Sequence, residues 1–257
     1  MSARRAPVAL HGTISILMIH YFPTLVSSND EAAHPRYSEG DIIWAEHQSA
    51  GRGQRGHSWQ SAEGQNLTFS VVLEPTFLHA SEQFSLLQVV ALALTDAMTE
   101  YGIEAKIKWT NDIYVGDRKL VGILMEHKLQ GSNLSRTIAG IGININQTAF
   151  DPSLPNPTSM RLITGKVMER EQVLESISHH LMHRYEMLRQ GQLDLLHADY
   201  HSRLYKLGKV QTFALPDGSR FEGVITGVEP QGELKITTLQ AEERRFLFKE
   251  IEFVLKN

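Results

Sequence analysis

"AEHQSAGRGQRGHSW", residues 45–59, continues from a strand-like run, "DIIWAEH" (41–47), and spaces three glycines as GxGxxG with Arg52 and Arg55 between them. The residues just after the glycines decide the fold. In a dinucleotide-binding fold the glycines open a helix directly after the strand, so that a pyrophosphate rests on the helix N-terminus. Here the chain runs into "HSWQSAEGQN", which is polar, contains another glycine and has no helical period. The doubly wound reading therefore fails. A protein-kinase loop fails too, because no HRD or DFG occurs downstream. Two readings remain: a solvated loop, or a loop that closes over an anion. Glycine allows close backbone approach, and guanidinium offers a two-pronged fork to phosphate or carboxylate.

Composition narrows the partners. The 257 residues, 42% of them hydrophobic, suffice for one large domain or a large and a small one. A formal net charge of -4 argues against a general polyanion binder, so nucleic acid is not expected as a partner. The absence of cysteine excludes disulfides, thiolate zinc sites and a cysteine nucleophile. No apolar run reaches membrane-spanning length, and "VALHGTISILMI" (8–19) is broken by His11 and Gly12 without a cleavage pattern. The expectation is a cytoplasmic protein, with no membrane partner, acting as a monomer or homodimer. Met18 would serve equally well as a start, which sets residues 1–17 apart as an extension without required structure.

Beyond the loop, elements alternate. "NLTFSVVLEP" (66–75) places Leu67, Phe69, Val71 and Leu73 on one strand face, and the segment from Ser81 to Gly102 carries Phe84, Leu87, Ala91, Leu94 and Met98 at helical spacing. "AKIKW", "DIYV" and "KLVGILMEHK" read as a strand meander with turns at 110–111 and 116–117. Within it, Lys108, Asp112 and Lys119 can converge at a hairpin, while Asn111 shares the turn with Asp112. Gly122 interrupts an otherwise branched strand, as happens where a ligand or backbone approaches closely. "AGIGININ" (139–146) sorts by parity into Ala139, Ile141, Ile143 and Ile145 on one face and Gly140, Gly142, Asn144 and Asn146 on the other. A face without bulk beside amides suits a cavity wall; a glycine-weakened edge strand is the alternative. Helices over 169–190 and 193–205 come next, and after Gly208 only short strands remain, which suggests a small antiparallel barrel.

Taken in this order and spacing, three stretches resemble biotin protein ligases: GRGQRGHSW beside the family's GRGRRGRxW, KWTND beside KWPND, and KLVGIL beside KLAGIL. "LVSSNDEA" (25–32) is similar to the family's DSTN element, with Val26 in place of the acid and Ser28 in place of the threonine. The resemblance implies an α/β (α+β) fold: a mixed central sheet flanked by helices, related to class II synthetase-like and lipoate ligase catalytic domains. It places a catalytic domain over 18–207 and an SH3-like β-barrel over 208–257. It also implies ATP and Mg²⁺ as cofactors, with the metal carried on ATP and not by protein ligands alone. Biotin is the implied substrate, and a biotin carboxyl carrier domain is the implied protein partner.

Residue by residue, the resemblance implies biotin contacts at Ser27, Ser28, Asn29, Gln48, Arg52, Gly53, Gln54 and Lys119, with Gly122 and Gly140 forming pocket wall. The nucleotide side falls to Arg52, Arg55, Lys108, Asn111, Lys119 and Asn144. The catalytic set is Lys119, Arg52, Asp112 and Lys108: the lysines and arginine offset charge as a carboxylate meets a triphosphate, and Asp112 handles the incoming amine. Gln54 stands where an arginine is common. Too few residues precede Leu25 for the helix-turn-helix of repressor-type members, so operator binding is not expected. Smaller features have plainer readings. His179 and His183, or His197 and His201, lie one helical turn apart without an evident third metal ligand, and Thr158 with Ser159 either edges the nucleotide pocket or caps a turn. A lipoate ligase, or a module that only sequesters biotin or nucleotide, remains the rival reading.

Overall fold

The computed structural model describes residues 2–8, 15–54 and 58–254, with side chains from residue 18 onward. Eight strands build one mixed sheet. They are β1 (Ser2–Val8), β2 (Ser15–Leu25), β3 (Ile42–Gln48), β4 (Leu67–Leu73), β5 (Lys106–Lys108), β6 (Asp112–Val115), β7 (Arg118–Gln130) and β8 (Asn133–Ile143). Their spatial order is β1-β2-β3-β4-β8-β7-β6-β5. Among the described strands of this sheet only β2 and β3 run parallel, with Ile19 opposite Ile42, and the short helix α1 (Ser28–Ala32) lies in the crossover between them. Within the N-terminal extension, the described residues Ser2–Val8 pair antiparallel along β2. Such pairing is made by backbone groups and leaves little trace in side-chain pattern.

One face of the sheet carries the helices. α2 (Gln83–Glu100) packs against α4 (Arg170–Arg189) and α5 (Leu193–Ser202). Ile42, Trp44, Phe69, Val71, Ile141 and Ile143 join these helices in the principal core. The alternation read from the sequence holds here, with Ala139, Ile141 and Ile143 all in that core. A smaller cluster of Ala32, Tyr37, Ile43, Val72 and Ile138 occupies the opposite face near α1. Parity therefore sends Ser70, Gly140 and Gly142 away from the helices, leaving room for a cleft on the second face.

A buried ion-pair centre ties the helical layer together. Arg184 on α4 reaches Asp96 on α2 at 2.7 Å and Asp199 on α5 at 2.7 Å, while Arg203, just past α5, reaches Asp96 at 2.6 Å. Burial alone would raise the Asp96 carboxyl; the guanidinium groups of Arg184 and Arg203 more than reverse this and hold it below the ordinary carboxylate range. Arg203 and Tyr205 also bond the backbone of Ile107 on both sides, at 2.8 Å each, which anchors β5.

The C-terminal segment is the expected small antiparallel unit, though not a closed barrel. β9 (Val210–Ala214), β10 (Arg220–Val228), β11 (Leu234–Thr238), β12 (Glu243–Phe246) and β13 (Glu252–Phe253) form an antiparallel sheet in the order β12-β11-β10-β9-β13. Among the described residues β12 and β13 do not pair, so the sheet is open. The two-residue β13 is too short to zip one edge to the other. Trp109 Nε1 donates to Gly232 O at 2.8 Å, joining this sheet to the end of β5.

Candidate functional site

The cleft on the face opposite α2, α4 and α5 holds about 860 Å³, and its floor is set by strand register. One row across the sheet reads Asp112, Gly122, Gly142 and Thr68; the next reads Leu124, Gly140, Ser70 and Ile43. The glycines leave space that neighbours fill. A β-carbon at Gly140 would lie 2.2 Å from Asn29 Oδ1, and one at Gly142 would lie 2.3 Å from Trp59 Cε2. Gly122 also faces the indole, at 3.0 Å from Cζ3. Gly140 and Gly142 tolerate no side chain without displacing what they hold.

Over the Gly140 row lies a polar cradle. Ser28 N donates to Gln48 Oε1 at 2.7 Å, and Ser70 Oγ sits 2.8 Å from Ser28 Oγ and 2.6 Å from Asn29 Oδ1. Asn29 Nδ2 donates to Glu126 Oε2 at 2.6 Å. Ser27, Ser28 and Asn29 are each buried, because α1 turns its N-terminal residues onto β3, β4 and β8. Above the cradle, Arg52 Nη2 lies 2.6 Å from Asp30 Oδ1 and 3.0 Å from Glu126 Oε2. The loop bearing Arg52 returns on itself through an Arg52–Ser58 bridge and a 3.0 Å bond from Trp59 N to Gly51 O. Within this wall Gln54 Oε1 and Trp59 Nε1 are buried with no hydrogen-bond partner among the described residues. An acceptor and a donor left open in one wall suit an incoming polar ligand.

The β6–β7 hairpin forms the other wall. Lys119 Nζ meets Asp112 Oδ1 at 2.7 Å, with both side chains mostly shielded. The Lys119 backbone is clasped as well: its N–H donates to Asn156 O at 2.8 Å and its carbonyl accepts from Thr158 N at 2.9 Å. Lys108 Nζ stands 5.1 Å from the Tyr114 ring centre and 4.9 Å from that of Phe253, so β13 of the C-terminal sheet borders the cleft. Burial, with smaller contributions from Asp112 and Asp117, pushes the Tyr114 hydroxyl up to about 12, which keeps it a neutral neighbour for Lys108. Asn111 Nδ2 donates to Ile123 O and Asn144 Nδ2 to Thr158 O, so both amides brace the wall. Ser159 Oγ accepts from Leu162 N at the start of α3 (Met160–Thr164), and so takes the capping role.

The structure gathers Ser27, Ser28, Asn29, Gln48, Arg52, Gly53, Gln54, Lys108, Asn111, Asp112, Lys119, Gly122, Gly140 and Asn144 around this one cleft. Arg55 lies outside the described residues. Sequence reasoning missed Ser70, Glu126, Asp30 and Phe253. Ser70 and Glu126 lie on the cleft's side of the sheet by strand parity and bond the lining residues Ser28 and Asn29, a signal available once β4 and β7 are aligned with β8. Trp59 closes the GRGQRGHSW motif with no role assigned to it from the sequence, yet it covers the glycine floor. Among the described residues no three His, Asp or Glu side chains are grouped to hold a metal ion, and no helix is long and apolar enough to cross a membrane.

Residues 22–144 match the model of the biotin/lipoate A/B protein ligase family. The chain is 34% identical over 164 residues to the bifunctional ligase/repressor BirA of Bacillus spizizenii, a match covering 61% of this chain and 50% of that protein. It is 34% identical over 162 residues to the biotin–[acetyl-CoA-carboxylase] ligase of Paracoccus denitrificans, covering 59% of this chain and 66% of that one. The matched part thus spans about half to two thirds of these curated relatives. Among solved structures, the biotin protein ligase of Aquifex aeolicus in complex with biotin and ATP superposes with a TM-score of 0.79 at 25% identity, over 93% of this chain and 99% of that one.

Proposed function

We propose that the protein activates biotin with ATP and transfers it to a lysine of a biotin carboxyl carrier domain, a reading supported by the match of residues 22–144 to the biotin/lipoate A/B protein ligase family. The observation that carries this reading is that Arg52 and the Lys119–Asp112 pair line the same cleft as the polar cradle of Ser28, Asn29 and Gln48. In the first step a carboxylate oxygen of biotin bonds to the α-phosphorus of ATP, the bond to the bridging oxygen breaks, and pyrophosphate leaves. Two anions must approach each other. Lys119 and Arg52 would offset their repulsion, and Lys108, which lines the same cleft, would offset charge on the departing phosphates. In the second step the carrier amine bonds to the acyl carbon and AMP leaves. Asp112, next to Lys119, receives the proton that the amine gives up.

The cradle suits a ureido ring. Such a ring presents one carbonyl and two N–H groups, and a buried site lined by hydroxyls and amides gives each a partner. A divalent ion enters this scheme on the triphosphate, where it neutralises phosphate charge. The domain division at about residue 208, the catalytic roles of individual residues and a cytoplasmic setting belong to the same proposal.

The test uses the purified chain with ATP, Mg²⁺ and either biotin or lipoate, reading pyrophosphate release and the mass of an added carrier domain. Biotin-dependent release with one biotinyl group per carrier is expected. Lipoate transfer in its place would establish the neighbouring activity, and binding of biotin without pyrophosphate release would reduce the protein to a sequestering module.

A further inference from the structure

Glu126 lies on β7 with its carboxylate between two groups that belong to different parts of the cleft. On one side is Asn29 Nδ2, at 2.6 Å. Asn29 is 4% exposed, is held by Ser70 at 2.6 Å, and rests against Gly140, so its amide has little freedom. On the other side is Arg52 Nη2, at 3.0 Å to the same Glu126 oxygen. The strand and the buried amide therefore fix where the carboxylate sits, and the carboxylate fixes where the loop arginine sits.

We infer that Glu126 is a positioning residue that registers Arg52 against the ring-binding cradle. The bond to a buried, immobilised amide keeps Glu126 in place, whereas Asp30, the second acid on Arg52, has no such tether among the described residues; both ion pairs are partly exposed, so the tether and not the pairing strength sets them apart. Both acids bond Nη2. Among the described residues no bond takes the remaining edge of the guanidinium fork, which suits it to an anion in the cleft in an orientation set in advance. Neutralising Glu126 should then loosen the arginine without emptying the cradle, since a glutamine oxygen still accepts from Asn29.

The inference rests on the ligase reading for what Arg52 meets, but the register between Glu126 and Arg52 does not. Two measurements separate them. In the ligand-free protein, tryptic cleavage after Arg52 is expected to rise about tenfold in Glu126→Gln, the consequence of losing one charge-assisted bond, and to change little in Asp30→Asn. In biotin-dependent pyrophosphate exchange, Glu126→Gln is expected to raise KM for biotin about tenfold with kcat nearly unchanged. In an Arg52→Ala background the same change should add nothing. Unaltered cleavage and KM in a Glu126→Gln protein with native circular dichroism would overturn the role, as would equal effects of Glu126→Gln and Asp30→Asn. If Glu126→Gln fails to fold, Glu126→Asp decides in its place: its shorter carboxylate should give intermediate cleavage and KM, and wild-type values in both would overturn the role. Should the unaltered protein release no pyrophosphate with biotin, the ligase reading fails, and the proteolysis still decides the register.

Discussion

Trp59 covers Gly142 so closely that a β-carbon there would come within 2.6 Å of both indole Cδ2 and Nε1. The indole is thus seated by the lack of a side chain on a strand remote from its own loop. Gly142→Ala is expected to displace it at a stability cost of about 1–3 kcal/mol, the range for overpacking. Intrinsic fluorescence, compared with Trp59→Phe, should report the displacement, and calorimetry should show weaker biotin binding. Unchanged emission together with unchanged affinity would mean that the glycine floor does not seat the indole.

Lys119→Ala should leave a folded protein that has lost adenylation. Its pair with Asp112 is partly shielded but still reaches solvent, so the melting temperature should move by no more than about 1 kcal/mol of stability would produce. Biotin-dependent ATP–pyrophosphate exchange should fall by about a hundredfold or more. Exchange at the wild-type rate would remove Lys119 from the chemistry.

Asp96 should contribute to acid sensitivity. Its folded pKa lies below the unfolded value, so it contributes stability above the unfolded pKa, and that contribution is lost as pH falls through the folded pKa. Asp96→Asn should flatten the acid limb of a stability–pH curve and, by leaving Arg184 short of a partner in the interior, cost about 3 kcal/mol near neutrality. Chemical denaturation from pH 7 downward measures both.

Phe253→Leu removes one of two aromatic faces beside Lys108. A cation–π contact of this kind is worth about 0.5–1 kcal/mol, so KM for ATP should rise about two- to fivefold while that for biotin stays constant. An equal rise for both substrates would point to general loosening of the C-terminal sheet.

Much of this was legible because strand parity and local spacing are properties of adjacent residues. The faces of 139–146, the hairpin carrying Asp112 and Lys119, and the helices at 83–100 and 170–189 all arise from short-range pattern. The features that were missed depend on chain paths. That Trp59 lies on Gly142, that Glu126 bridges Asn29 and Arg52, and that Phe253 meets Lys108 each require two distant segments to be brought together. The small antiparallel C-terminal unit was legible but its lack of closure was not: strand count and length are local, whereas closure depends on whether the last strand can reach the first.

The clasp on the Lys119 backbone alters how mutational data from its surroundings should be interpreted. Asn156 and Thr158 grip the peptide groups on either side of that lysine, with Pro155 and Pro157 stiffening the grip. Kinetic defects from substitutions at these prolines would mimic loss of a ligand contact although no ligand contact had been removed. Their signature would be a misaimed ammonium group, restored by any change that re-tethers the peptide rather than by a higher dose of substrate.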